Sequence, residues 1–287
     1  MSNKILLILW GESYRSGSQM TRTRGTQNYI ERQIFASQSH VDFINHIKHT
    51  HNVETDLVIK SYKLNEEDDN NLIKFYKDRV NLTNHILHDN LFSSEEMFLN
   101  DMYNDTCELI VNNCYSHILY IRIDIYLKNY FIKNVMLDDK IKFAFIDSCM
   151  LVDKSNNDKI KNICQQIVIY PKSFFYVIQR KIIYNATHEI CNHLIQNNVS
   201  ENDIVFLVNT LHICSTDMGW NPLFVQVGRN YNALYNNKLL HQYTVEYIFD
   251  NESKLLLLDK EKTVNYWNHY ILNEEAAENV EICKIVT

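Results

Sequence analysis

The stretch "KILLILWGESYRSGSQMTRTRGT", Lys4–Thr26, decides the fold. Lys4–Trp10 is a continuous apolar run cut off by Gly11. Such a run, without alternation, marks a strand buried on both faces, the kind found at the centre of a parallel sheet. The polar segment that follows carries Arg15, Arg22 and Arg24. It has three readings: Ser13 is a nucleophile, the loop grips an anion, or it is a solvated turn.

Outward from this strand, apolar and polar patterns alternate. Thr26–His49 reads as a helix, because Ile30, Ile34, Val41, Ile44 and Ile47 recur at helical spacing. Thr55–Tyr62 reads as a second strand. Asn65–Tyr76 reads as a helix with its carboxylates at the favourable N-terminal end, and another helix starts at the Ser94 cap. "HILYIRIDIYLK", His117–Lys128, reads as one strand; Ile141–Ser148 and Gln166–Pro171 read as two more. Ser173–Gln196 is expected to be a long helix. "SENDIVFLVNTLH" is expected to be helical, with Ser200 as its cap. "YTVEYIF" and "KLLLLDK" suggest a terminal hairpin. Strands alternating with helices imply an α/β fold with a mostly parallel sheet and helices on both faces.

With 287 residues, only 5 Gly and 2 Pro, and no linker-like stretch, residues 1–287 are expected to form a single domain. The net charge of −7 argues against nucleic acid as a partner, because phosphate contacts need a basic surface. No apolar run approaches the ~18 residues of a membrane span, and "KILLILW" lacks the pattern of a secretory signal. The 7 cysteines form no Cys-x-x-Cys pair and suit a reducing compartment, so a cytoplasmic location is expected.

Three places carry chemistry. The first is the Gly11–Gly25 loop, beyond the carboxyl end of the first strand, where open α/β sheets place their ligands. Arg15, Arg22 and Arg24 suit a diphosphate there, since guanidinium forks match phosphate oxygens. The esterase alternative takes Gly11–Glu12–Ser13 as an SGNH-type nucleophile block. That chemistry wants Asp three residues before a catalytic His, and no histidine has it: His212 follows Asn209 and His269 follows Tyr266. A Gly-x-Ser-x-Gly elbow and a P-loop are also absent. The second place is "RID". Arg122 and Asp124 are charges inside an apolar strand, tolerable as a mutual pair or with Asp124 ligating a divalent cation. Asp147 and Asp153 could line the same rim. The third is "HICSTDMGWNPLFVQVGRN", a polar, turn-rich segment in which His212 reads as a structural histidine or a metal ligand and Asp217 as a base.

The first loop, "ERQIFASQSHVDFI", "RID" and "GWNPLFVQVGR" together resemble a family of glycosyltransferases encoded by large DNA viruses, of the kind that decorates chlorella-virus capsid glycans. "RID" is similar to the metal-binding Asp-x-Asp of GT-A glycosyltransferases, with Arg122 in place of the first aspartate. The resemblance implies a GT-A-like, Rossmann-type layered fold, with a nucleotide-binding part over about 1–130 and an acceptor side over about 131–287. It implies a nucleotide-diphosphate sugar as donor, a glycan or protein-linked glycan as acceptor, and a divalent cation, Mn²⁺ or Mg²⁺. Gly11, Glu12, Ser13, Arg15, Arg22, Arg24 and Arg122 would hold the nucleotide. Asp124 and His212 would hold the cation, and Asp217 or Asp147 would act as the base. A viral origin would put the enzyme in host cytoplasm or a virus factory. A non-catalytic nucleotide- or carbohydrate-binding protein is the remaining alternative.

Overall fold

The computed structural model describes residues 4–16, 23–24, 27–90, 95–147, 162–163, 167–178, 194–208, 223–226 and 283–284. In chain order the first half contains β1 (Lys4–Trp10), β2 (Arg15–Ser16), β3 (Thr23–Arg24), α1 (Gln27–His51), β4 (Glu54–Tyr62), α2 (Glu66–Lys77), β5 (Leu82–His88) and α3 (Glu95–Asn112). Then come β6 (His117–Arg122), β7 (Ile125–Leu127), α4 (Asn129–Asn134), β8 (Ile141–Asp147), β9 (Asn162–Ile163), β10 (Ile167–Pro171), α5 (Phe175–Ile178), β11 (Ile204–Val208), β12 (Phe224–Gln226) and β13 (Cys283–Lys284).

Among the described residues the main sheet has nine strands, in the order β13-β11-β8-β10-β6-β1-β4-β5 with β9 beside β8. β1 lies inside it, parallel to β4 from Lys4↔Glu54 to Trp10↔Lys60 and parallel to β6 from Leu6↔Ile118 to Trp10↔Arg122. β5, β4, β1, β6, β8 and β11 share one direction, whereas β9, β10 and β13 oppose it. The expected α/β layered fold with a mostly parallel sheet is what the chain adopts.

The apolar run of β1 explains the layering. Ile5 to Leu9 are each 0% exposed, so both faces of the strand need a cover. On one face Leu7, Leu9 and Ile59 pack with Phe43 and Ile47 of α1 and Tyr76 of α2. On the other, Ile8, Trp10 and Val58 pack with Phe98 and Met102 of α3 and Phe175 of α5. Burying one such side chain is worth roughly 1.5–3 kcal/mol. α2 begins where the sequence implies: the Asn65 side chain accepts the Asp68 N–H at 2.9 Å, beneath four acidic residues in the first turn.

Some expectations are corrected. His117–Lys128 is not one strand. β6 stops at Arg122, a turn follows at Ile123–Asp124, and β7 pairs with β12 in a separate two-stranded sheet. The reason lies next door: β1 ends at Trp10, so β6 loses its neighbour one residue later. Residues 201–208 are not α-helical. Ser200 does cap, its hydroxyl accepting the Asn202 N–H at 3.2 Å, but it caps a single 3-10 turn. "IVFLV" then forms β11 parallel to β8, because a short β-branched apolar run is best buried within a sheet. β5 went unrecognised: it is an edge strand with exposed Thr83, Asn84 and His85, and it lacks the apolar signal. Of the long helix expected over Ser173–Gln196, Phe175–Ile178 and residues 194–196 are helical, and residues 179–193 lie outside the described residues. So do both strands of the expected terminal hairpin.

α1 differs from an ordinary amphipathic helix by burying Gln33, Ser37, Ser39 and His40. The Ser39 hydroxyl accepts the Leu127 N–H at 2.9 Å, and His40 Nδ1 lies 2.9 Å from the Tyr76 hydroxyl. Burial, partly opposed by the Ile125 backbone and Asp124, lowers the His40 pKa from 6.5 to about 3. The folded state therefore prefers neutral His40. Its contribution is complete above pH 6.5 and is lost as pH falls toward 3, since the unfolded chain then binds the extra proton. The expected outcome is that His40→Gln unfolds less steeply with acid. Denaturant titrations between pH 7 and 4 should show the wild type losing stability faster, by up to ~1.4 kcal/mol per pH unit.

Candidate functional site

Order reversal in an open sheet creates a crevice at the carboxyl ends of the two strands involved. Here that point lies between β1 and β6, because the chain leaves β1 toward β4 on one side and returns through β6 on the other. Two turns meet there: Gly11–Tyr14 after β1 and Ile123–Asp124 after β6.

The first turn needs its glycine. Gly11 has φ +105°, and its N–H donates to the Lys60 carbonyl at 3.1 Å. A side chain there would be strained by backbone conformation, although a Cβ would sit at an ordinary 3.8 Å from Arg122 Nε. Glu12 is 7% exposed and Ser13 is 0% exposed. The Ser61 hydroxyl donates to Ser13 Oγ, and the Ser13 N–H donates to Ser61 Oγ, both at 3.1 Å. The Ser13 hydroxyl is thus buried and already hydrogen-bonded within the protein. Tyr14 has φ 54°, an uncommon value for a non-glycine residue. Its N–H donates to Gln33 Oε1 at 3.0 Å, and its hydroxyl donates to the Asp68 carbonyl at 2.8 Å.

In the second turn, Arg122 and Asp124 form a two-pronged pair. Nε donates to Oδ1 and Nη2 to Oδ2, each at 2.7 Å. Asp124 is 0% exposed and Arg122 8%, and the guanidinium lies 5.5 Å from the Trp10 ring centroid. A divalent cation on Asp124 would share this carboxylate with the guanidinium, which already supplies the positive charge.

The structure thus brings Gly11, Glu12, Ser13, Arg122 and Asp124 to adjoining strand ends. β2 pairs with β3 as Arg15↔Arg24, opposite each other in a hairpin leaving the first turn. Asp147 ends β8, opposite Asn162 and at the same edge of the sheet. Arg22, Asp153, His212 and Asp217 lie outside the described residues.

Sequence reasoning missed a second cluster, on the α3 face of the same edge. Lys60 is 0% exposed, with Nζ 2.5 Å from Asp101 Oδ2 and bonded also to Asp105. His88 Nε2 lies 3.4 Å from Asp101. Burial, with the Lys60 ammonium adding, holds His88 below its usual pKa. The Phe98 ring centroid is 5.9 Å from Nζ, with Tyr62 and Trp10 against the same ring. The ligand atoms of His88, Asp101 and Asp105 lie within 4.8 Å of one another, the spacing of a metal site. The ammonium occupies that place. Lys60 was visible as the charge inside "DLVIKSY", and Asp101 and Asp105 as a helical i, i+4 pair.

No protein-family model matches the chain, and no curated protein matches it. Solved structures do. A glycosyltransferase involved in glycosylation of the major capsid of PBCV-1 aligns at 8% identity and TM-score 0.30, over 60% of this chain and 62% of that one. A candidate nucleotide-diphospho-sugar transferase from Desulfovibrio desulfuricans G20 aligns at 8% identity and TM-score 0.39, over 95% and 97%. The galactosyltransferase LgtC, in complex with donor and acceptor sugar analogues, aligns at 10% identity and TM-score 0.32, over 67% and 70%.

Two outcomes are expected from this geometry. Asp124→Asn leaves a nearly buried guanidinium without its counter-ion, and equilibrium unfolding should show a loss of roughly 3–5 kcal/mol. Lys60→Met removes the cation between two carboxylates. Because Asp101 and Asp105 are about one-third exposed, the cost should be smaller, roughly 2–3 kcal/mol. Added Mn²⁺ or Zn²⁺ should recover part of it, raising the melting temperature of the variant by more than that of the wild type.

Proposed function

We propose that the protein is a glycosyltransferase that moves a sugar from a nucleotide-diphosphate donor to a glycan or protein-linked glycan acceptor. The observation that carries this reading is the meeting of two turns at the β1/β6 switch point, one held by Gly11 and the other bearing a guanidinium. A diphosphate lies naturally against such a pair of backbone turns and a cation.

In this reading the first turn and the β2–β3 hairpin hold the nucleotide, with Gly11, Glu12, Ser13, Arg15, Arg22 and Arg24 around it. The acceptor hydroxyl oxygen attacks the anomeric carbon as the bond to the diphosphate breaks. Its proton passes to a carboxylate, Asp217 or Asp147, if the reaction inverts configuration. Negative charge grows on the departing diphosphate, so fixed positive charge there is the largest expected catalytic contribution. Arg122 supplies such charge near the β6 end. A divalent cation held by Asp124 and His212, if bound, would add to it. The nucleotide side spans about residues 1–130 and the acceptor side about 131–287. Activity in viral glycan synthesis, in host cytoplasm or a virus factory, is the cellular setting the sequence resemblance favours.

Calorimetric titration with UDP and GDP, with and without Mn²⁺, tests the reading. The expected result is a saturable heat for at least one of them. The same nucleotide at a hundred times its dissociation constant should stabilise the fold by about 2.7 kcal/mol. Absence of heat for every nucleoside diphosphate at millimolar concentration would remove both binding and transfer. Binding without hydrolysis or transfer of any UDP- or GDP-sugar would instead make the chain a nucleotide-binding protein.

A further inference from the structure

Gln33 lies near the start of α1 and is 0% exposed. Its side-chain amide joins two turns that are far apart in sequence. Oε1 accepts the Tyr14 N–H at 3.0 Å, and Nε2 donates to the Ile123 carbonyl at 2.8 Å. Tyr14 closes the turn after β1, and Ile123 opens the turn after β6. The Ile123 N–H itself donates to the Trp10 carbonyl at 2.7 Å. Six residues along α1, Ser39 holds the Leu127 N–H, so the helix grips this segment at residues 123 and 127. A site that needed only filling would take Leu or Met and avoid the cost of desolvating an amide. An acceptor and a donor on one planar group, each used by a different turn, point to a role in spacing.

We infer that Gln33 is a positioning residue that ties the Gly11–Tyr14 turn to the Arg122–Asp124 turn, so that the two open and close together. For a nucleotide this means one cradle rather than two independent loops, a consequence that rests on the proposed function. The tie itself belongs to the unliganded protein.

Amide hydrogen exchange on the unliganded protein tests the tie. Gln33→Met keeps the volume and removes both hydrogen bonds. Protection at Tyr14, whose N–H loses its acceptor, and at Ile123, whose N–H bonds Trp10 within the turn that Gln33 holds by its carbonyl, should fall together by about tenfold or more, equivalent to ~1.4 kcal/mol of local opening, while Ile59 in β4 is unchanged. Gln33→Glu serves as the second variant and carries the test if Gln33→Met does not fold. As a carboxylate it cannot donate to Ile123, whereas its protonated form can. Protection at Ile123, corrected for intrinsic exchange, should therefore be lost at neutral pH and recover on acidification. Loss at Tyr14 alone, equal loss at Ile59, or a Glu variant insensitive to pH would each overturn the inference. UDP titration of Gln33→Met should show about tenfold weaker binding. If wild type binds no nucleotide, the nucleotide reading falls, and the exchange result still decides the role of Gln33.

Discussion

A strand whose side chains from Ile5 to Trp10 are all apolar and buried must be covered from both sides. That requirement organises the molecule. It places β1 inside the sheet, calls for α1 and α2 on one face and α3 on the other, and leaves only the strand ends for polar chemistry. With its faces closed, β1 gives way to polar residues at the turn that begins at Gly11. The parallel register Trp10↔Arg122 then sets the β6 turn beside it.

The buried charges follow from the same arrangement. Arg122 and Asp124 are tolerated because each satisfies the other through two hydrogen bonds of 2.7 Å. Lys60, the register partner of Trp10 on β4, is tolerated because α3 brings two carboxylates over it. The edge of the sheet thus carries two buried cations, both already paired within the protein.

Much of this was legible in the sequence. The bounds of β1 were, because an uninterrupted apolar run ended by glycine has one reading. The start of α2 was, because Asn65 stands before a run of carboxylates. The pairing of Arg122 with Asp124 stood among the readings of "RID". The end of β6 was not, because it is set by where β1 stops, a fact of sheet neighbours rather than of residues 117–128. β11 was mistaken for a helix because the Ser200 cap is genuine but local, and the apolar run behind it outweighs it. The Lys60 cluster needed three elements, β4, β5 and α3, to come together. The sequence shows each charge and not their meeting. Among the site residues, Arg22, His212 and Asp217 lie outside the described residues.

The Lys60 cluster also bears on how this chain can change over generations. An ammonium at 0% exposure and its two aspartates on another element form one heritable unit. Losing Lys60 alone leaves two carboxylates facing each other, and losing both aspartates leaves a buried charge. Either intermediate is penalised, so the three positions should persist or disappear together among descendants. Where the lysine has gone and the acids and His88 remain, the same pocket becomes a vacancy shaped for a metal ion, a route by which this layer of the fold could acquire one without moving its backbone.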